Sequence, residues 1–120
     1  MPYIDSTQFG EVIIDGKKYN QVLIIGDSVI ERDYKKLKEL FGTSHKIGDW
    51  ETETLLRTNP EVIVIGTGQD GKLEVDKDFL DKTGEKGVEV IIAITPEAIK
   101  IYNEKVKNEK LVNALIHTTC

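Results

Sequence analysis

Two apolar, β-rich runs near the start of the chain flank the dipeptide Asp15-Gly16, in the segment FGEVIIDGKKYNQVLIIG. Asp-Gly suits a tight type I′ turn, because both central residues of that turn take positive φ angles. We therefore predict that the chain opens with a β-hairpin in the region 9–25.

A helix is predicted over DYKKLKELFG, where Asp33 is the expected N-cap and Gly42 follows the last turn. Its apolar residues share one helical face: Tyr34, Leu37, Leu40 and Phe41. The next six residues, TSHKIG, are a short strand candidate. A second helix is predicted over DWETETLLRTNP, with Asp49 as N-cap and Pro60 as stop. The single tryptophan, Trp50, could anchor a partner, but we expect it to fill the core.

From residue 62 onward, strand-like and helix-like patterns alternate as βαβαβ. The predicted elements are a strand Val62–Gly66, a helix Asp76–Thr83, a strand Val88–Ile94, a helix Pro96–Lys107 and a strand Leu111–Ile116. Near-continuous apolar strands indicate a sheet covered on both faces, and helical crossovers indicate parallel strands. Thr95 is the expected N-cap of the last helix. The absence of linkers and repeats predicts one α/β domain over residues 1–120.

Composition excludes some classes of partner but does not identify a function. Sixteen Lys and Arg against 21 Asp and Glu give a net charge of -5, so we predict no nucleic-acid partner. No apolar run is long enough to cross a bilayer, and the chain starts without a signal-peptide pattern. With a single cysteine, these features predict a cytosolic protein with no membrane partner.

The segment VIVIGTGQDGKLEVD contains two phosphate-binding patterns, G-x-G-x-x-G and most of a P-loop, from Gly66 to Lys72. A dinucleotide site needs a helix directly after the glycines and an acid about 20 residues on, and both are missing. The P-loop pattern needs Ser or Thr where this chain has Leu73. We therefore interpret the glycines as turn formers and predict no bound cofactor.

Several motifs along the chain resemble one family. They are an early FG, GTSH at 42–45, IGTG at 65–68, EAIKIYNE at 97–104 and the terminal IHTTC at 116–120. In this order they are similar to small archaeal and bacterial proteins of unknown function, related to the mitochondrial complex I assembly factor 3 and to an adipogenesis-associated protein. The resemblance implies a compact three-layer β and α/β domain without an established enzymatic activity. Residues 33–41 depart from the eukaryotic relatives.

Small polar residues follow the three parallel strands. Because ligands in open parallel sheets sit beyond the carboxyl ends of the strands, we predict a shallow pocket there for a small anion or a partner's loop. Its candidate residues are Thr67, Gly68, Gln69, Thr95, His117 and His45. The alternative is that these are ordinary turn, cap and strand residues, which is the interpretation we favour for His45.

His117 and Cys120 also permit a metal or thiol site, because imidazole and thiolate are soft ligands. With His45 as the only other nitrogen or sulfur ligand, the set is too small for a structural zinc, so we predict no metal site.

No complete catalytic set is present, so a non-catalytic binding or assembly module is favoured over an enzyme. The alternative is a protein, or an enzyme of unknown reaction, that binds an anion or metabolite at the strand ends. A protein partner or a homodimer is the expected association.

Overall fold

The first three strands form a small antiparallel sheet. The structure, a computed structural model, describes residues 1–108 and 110–120. Strands β1 (Ile4–Gln8), β2 (Glu11–Ile14) and β3 (Lys17–Tyr19) pair in the order β1-β2-β3. Asp15 and Gly16 have φ angles of 49° and 78° and turn β2 into β3, as predicted. The hairpin is narrower than the region 9–25, because the next strand belongs to another sheet.

A mixed five-stranded sheet forms the middle of the domain, in the order β5-β4-β8-β6-β7. Strand β4 (Val22–Ile25) is antiparallel to both β5 (Ser28–Glu31) and β8 (Val112–His117). Strand β6 (Val62–Thr67) lies between β8 and β7 (Glu89–Ala93) and is parallel to both. The predicted βαβαβ unit is therefore confirmed, and an antiparallel pair extends its sheet.

Helices and the small sheet cover the two faces of this central sheet. The helices are α1 (Tyr34–Phe41), α2 (Asp49–Leu56), α3 (Lys77–Glu85) and α4 (Thr95–Lys107). Apolar side chains of α4 and the small sheet pack on one face, whereas those of α2 and α3 pack on the other. The fold is the three-layer α/β domain that the sequence and the resemblance predicted. None of the four described helices has the length and apolar character needed to span a membrane.

The predicted cap of α1 is confirmed, since Asp33 accepts the Lys36 N–H. Helix α3 is capped by Asp76, which accepts the Phe79 N–H. The strand predicted over TSHKIG is wrong. The Ser44 and Lys46 carbonyls of this segment accept instead from Arg32, as described below. Strands β1 and β5 were not predicted.

The predicted caps of α2 and α4 are wrong. Helix α2 follows Gly48 rather than Asp49, and the Glu51 carboxylate accepts the Gly48 N–H at 3.0 Å. Helix α4 follows Ile94 and begins at Thr95. The Thr95 hydroxyl bonds across the sheet edge instead of capping its own helix.

Candidate functional site

The carboxyl ends of the parallel strands lie at one edge of the sheet and are bonded to one another. Thr67 Oγ1 donates to the Ala93 carbonyl at 3.1 Å, and the Gly68 N–H donates to Thr95 Oγ1 at 2.9 Å. The Thr95 hydroxyl donates in turn to the His117 carbonyl. Four of the predicted site residues therefore lie together. They form hydrogen bonds with main-chain or side-chain atoms of the same edge.

The glycine-rich loop after β6 binds the last residues of the sequence. The Gln69 N–H donates to the Thr119 carbonyl at 2.7 Å. The Asp70 and Lys72 N–H groups both donate to the main-chain oxygen of Cys120, at 3.0 and 2.9 Å. Amides that would hold phosphate in a nucleotide site thus bind main-chain oxygens here. Helix α3 begins farther along the chain, so its N-terminus does not join this loop.

Gly68 is the position where this loop and residues 117–120 approach most tightly. A Cβ atom on Gly68 would lie 2.5 Å from the main-chain carbon of Cys120 and 2.7 Å from Cδ2 of His117. Gly68 also has a φ angle of +105°, which side-chain-bearing residues rarely adopt. A packing role therefore explains this glycine without any ligand.

His117 is a buried, neutral imidazole at the end of β8. Its Nδ1 lies 2.6 Å from the Gln21 amide oxygen, which only accepts, so Nδ1 carries the hydrogen and Nε2 accepts from the Thr119 hydroxyl at 3.2 Å. Burial, the Arg32 charge and His45 lower the pKa of His117 to about 4. The His45 ring meets the His117 ring edge-on, with centroids 5.1 Å apart, so these two candidate residues are adjacent.

A buried ion pair lies behind His117. Arg32 Nε and Nη2 donate to the two carboxylate oxygens of Glu51 at 2.7 and 2.9 Å, and both side chains are almost fully buried. Arg32 also donates to the Gln21 amide oxygen and to the carbonyls of Ser44 and Lys46. These five bonds match the five N–H donors of a guanidinium, so Arg32 holds β4, β5, α2 and the segment before α2 together.

Sequence reasoning missed Gln21, Arg32 and Glu51. Arg32 and Glu51 are separated by 19 positions and have no local spacing signature. Glu51 matches the pattern of acids that stabilise a helix N-terminus, and it does lie in the first turn of α2. This pattern gave no sign of a buried ion pair. Only the pairing of β5 beside β4, which the sequence pattern did not reveal, brings the three residues together.

A cavity of about 410 Å³ opens beside this network. Its lining includes Asn20, Gln21, Glu31, Tyr34, Thr118 and Thr119. Gln21 is mostly buried and its amide oxygen is bonded, whereas its amide nitrogen has no hydrogen-bond partner within residues 1–108 and 110–120. Gln21 therefore brings two unused amide N–H donors to the lining of this cavity.

Helix α1 exposes three large apolar side chains on the outside of the domain, and Lys36 and Lys38 lie over the rings of Trp50 and Tyr34. Leu37 is its single buried residue, whereas Tyr34, Leu40 and Phe41 are 54%, 60% and 40% exposed. The Phe41 ring stacks on Trp50 with centroids 6.4 Å apart. Trp50 is half-buried under this helix, so the expectation of a core tryptophan was wrong. We call Tyr34, Leu40, Phe41 and Trp50 the α1 face.

Within the described part of the chain, no three His, Cys, Asp or Glu side chains form a group that could hold a metal ion. The Cys120 thiol is free and half-buried.

Comparison with known proteins places this geometry in a family. The sequence profile of DUF498/DUF598, described as a protein of unknown function, matches residues 4–117. The chain belongs to the DUF498/DUF598 family. A conserved hypothetical protein of Pyrococcus horikoshii OT3, PH1505, is 33% identical over 98% of both chains, with a TM-score of 0.84. The protein MT938 is 32% identical over the full length of both chains, with a TM-score of 0.80.

A more distant likeness supports the fold alone. A Bordetella pertussis protein with an Mth938-like domain is 12% identical over 97% of this chain and 85% of its own, with a TM-score of 0.67. The three-layer DUF498/DUF598 fold is thus kept where little sequence identity remains.

Proposed function

We propose that this DUF498/DUF598 protein is a non-catalytic binding module that docks a protein partner on the α1 face. The observation that carries the proposal is the exposure of three large apolar side chains on a helix whose single buried residue is Leu37. Clustered exposed aromatic and aliphatic side chains are typical of protein interfaces, where buried Trp and Tyr contribute much of the binding energy.

The strand-end edge supports the same proposal. An α/β enzyme would present free backbone amides there, whereas Gln69, Asp70 and Lys72 donate to residues 119 and 120. Because the sequence resembles a complex I assembly factor, the proposed role includes that of an assembly factor. It does not extend to that factor's partner, because residues 33–41 depart from the eukaryotic relatives. The predicted cytosolic location and the predicted absence of nucleic-acid and membrane partners belong to the same proposal.

The test is affinity capture with three immobilised proteins. They are the wild type, the α1-face variant Leu40→Ser/Phe41→Ser, and a control variant, Leu80→Ser/Leu111→Ser, which removes comparably exposed leucines elsewhere. Thermal melts first establish that all three are folded. We expect the wild type and the control to retain the same proteins from a cell extract and the α1-face variant to lose them. Equal retention by all three would refute the proposal.

The cavity beside His117 favours a second candidate function, the binding of a small polar metabolite. Its free Gln21 amide N–H would donate to a ligand oxygen, while the neutral imidazole keeps Thr119 oriented. The predicted site residues Thr67, Gly68, Gln69 and Thr95 would then support the cavity from the strand ends. This candidate predicts a saturable rise in melting temperature with one compound of a metabolite panel, absent in Gln21→Leu. A panel without such a compound eliminates it.

A further inference from the structure

The free edge of β7 lies at the opposite end of the central sheet from β5. Natural proteins usually protect such an edge with charges, proline or a bulge. Here the segment VEVIIAI has one charged residue, Glu89, whose carboxylate lies 3.8 Å from Lys105 Nζ. Ile92 and Ile94 are 46% and 43% exposed. The edge is therefore apolar and unprotected.

The bonds to β6 identify which β7 groups point outward. The Glu89 N–H donates to the Glu61 carbonyl, and the Ala93 carbonyl accepts from Thr67, so both residues direct their main-chain groups toward β6. Main-chain groups alternate in direction along a strand. Val90 and Ile92 consequently direct their N–H and C=O groups away from the sheet.

We infer that β7 pairs with β7 of a second copy of this chain, antiparallel and centred on Ile91. In that register Val90 faces Ile92 of the second copy, and Ile92 faces its Val90. Each is a hydrogen-bonded pair, so the four outward groups of each copy are all satisfied. The two copies then form one continuous ten-stranded sheet, twice the five strands of one copy.

The ends of the same register are also complementary. Val88 would face Ile94 of the second copy. The Val88 N–H is already bonded to Thr83, and the Ile94 carbonyl is already bonded to the start of α4. The Val88 N–H of one copy and the Ile94 carbonyl of the other, both already bonded within their own chains, therefore face each other. The Ile94 N–H and the Val88 carbonyl also face each other and can form a hydrogen bond.

Side chains and charges fit this pairing as well. Val90 belongs to the α2 and α3 side of the sheet and Ile91 to the α4 side. Val90 thus lies beside Ile92 of the second copy, and Ile91 lies beside Ile91, which are favourable cross-strand pairs. Glu89 faces Ala93, so no like charges oppose each other. These features favour a second copy over an unrelated strand.

Sedimentation analysis over roughly 1 µM to 1 mM tests the pairing, since a two-strand interface is small and its dimer should be concentration-dependent. We expect the wild type to rise from 13.5 kDa toward twice that mass. Ile92→Lys should weaken the dimer at least tenfold, because it places a charge on the edge. Leu111→Lys, at a site 57% exposed elsewhere, should not. A monomer at every concentration, or a dimer unchanged in Ile92→Lys, overturns the inference.

A cysteine pair tests the register. In a Cys120→Ser background, Ile91→Cys should form an intermolecular disulfide under mild oxidation, because Cα atoms of a non-hydrogen-bonded pair lie about 4.5 Å apart. Ile92→Cys should cross-link at least tenfold more slowly, since residue 92 faces Val90 rather than its own counterpart. Equal rates for the two variants overturn the register. Neither variant alters the α1 face, so the outcome is separate from that of the capture experiment.

Discussion

Replacing Gly68 by alanine tests whether residues 119 and 120 close the strand ends. The substitution has two effects. It places a side chain at a φ angle of +105°, and it drives the new Cβ within 2.5 Å of the Cys120 main chain. The backbone strain costs about 1 to 3 kcal/mol. If the terminal residues are displaced, three hydrogen bonds to Gln69, Asp70 and Lys72 are lost, at about 1 kcal/mol each.

The expected loss in the free energy of unfolding is thus about 4 to 6 kcal/mol, a large share of the stability of a small domain. Gly87→Ala is the matched control. Gly87 has a φ angle of +70°, and a Cβ atom there would have no other atom within 4 Å, so only the backbone strain applies. We expect Gly87→Ala to cost about 1 kcal/mol.

Urea unfolding followed by the fluorescence of Trp50 measures both variants. The pair is repeated in a chain shortened by residues 119 and 120. There Gly68→Ala should cost about 2 to 3 kcal/mol less than in the full chain, because the displaced bonds are already absent. If Gly68→Ala costs no more than Gly87→Ala, or costs the same in both backgrounds, the closure of the strand ends is refuted.

Three further predictions concern the buried network and α1. Lowering the pH from 7 to 4 should reduce the free energy of unfolding by about 3 kcal/mol through His117. Its pKa is near 6.5 in the unfolded chain and about 4 in the folded one, so the unfolded state binds the proton first. Urea unfolding should show this pH dependence in the wild type and not in His117→Gln. Glu51→Leu should cost about 3 kcal/mol or more by leaving Arg32 unpaired, and adding Arg32→Met should recover most of it; a double variant no more stable than the single one contradicts this. Leu37→Ala should cost about 3 kcal/mol in urea unfolding, whereas Leu40→Ala should change stability by less than about 0.5 kcal/mol, and equal effects would contradict the exposed α1 face.

Sequence patterns predicted the parts of the fold that depend on local chemistry. Asp15-Gly16 specified its turn, and the alternation from Val62 onward specified the βαβαβ unit. Strand β5 was not predicted, because its four residues, Ser28–Glu31, are too few to show a strand pattern. Its position decides how the sheet is extended and where Arg32 lies.

The candidate site was predictable in part, for a physical reason. Parallel strands in one sheet end at the same edge, so the meeting of Thr67, Thr95 and His117 follows from strand order. The bonding of the glycine loop to residues 119 and 120 does not follow from spacing, because main-chain oxygens leave no sequence signature. The pairing of Arg32 with Glu51 is likewise a long-range contact between residue types that are common on surfaces. Whether the edge binds a ligand stays a prediction.

The most direct test of the proposed partner surface is site-specific photo-cross-linking in the source cells. A photoreactive phenylalanine replaces Leu40 on the α1 face or, as a control, Leu111, which is similarly exposed away from it. We expect discrete protein adducts from position 40 and none from position 111. No adduct at position 40, or the same adducts from both positions, would contradict the assignment of the α1 face as the docking surface.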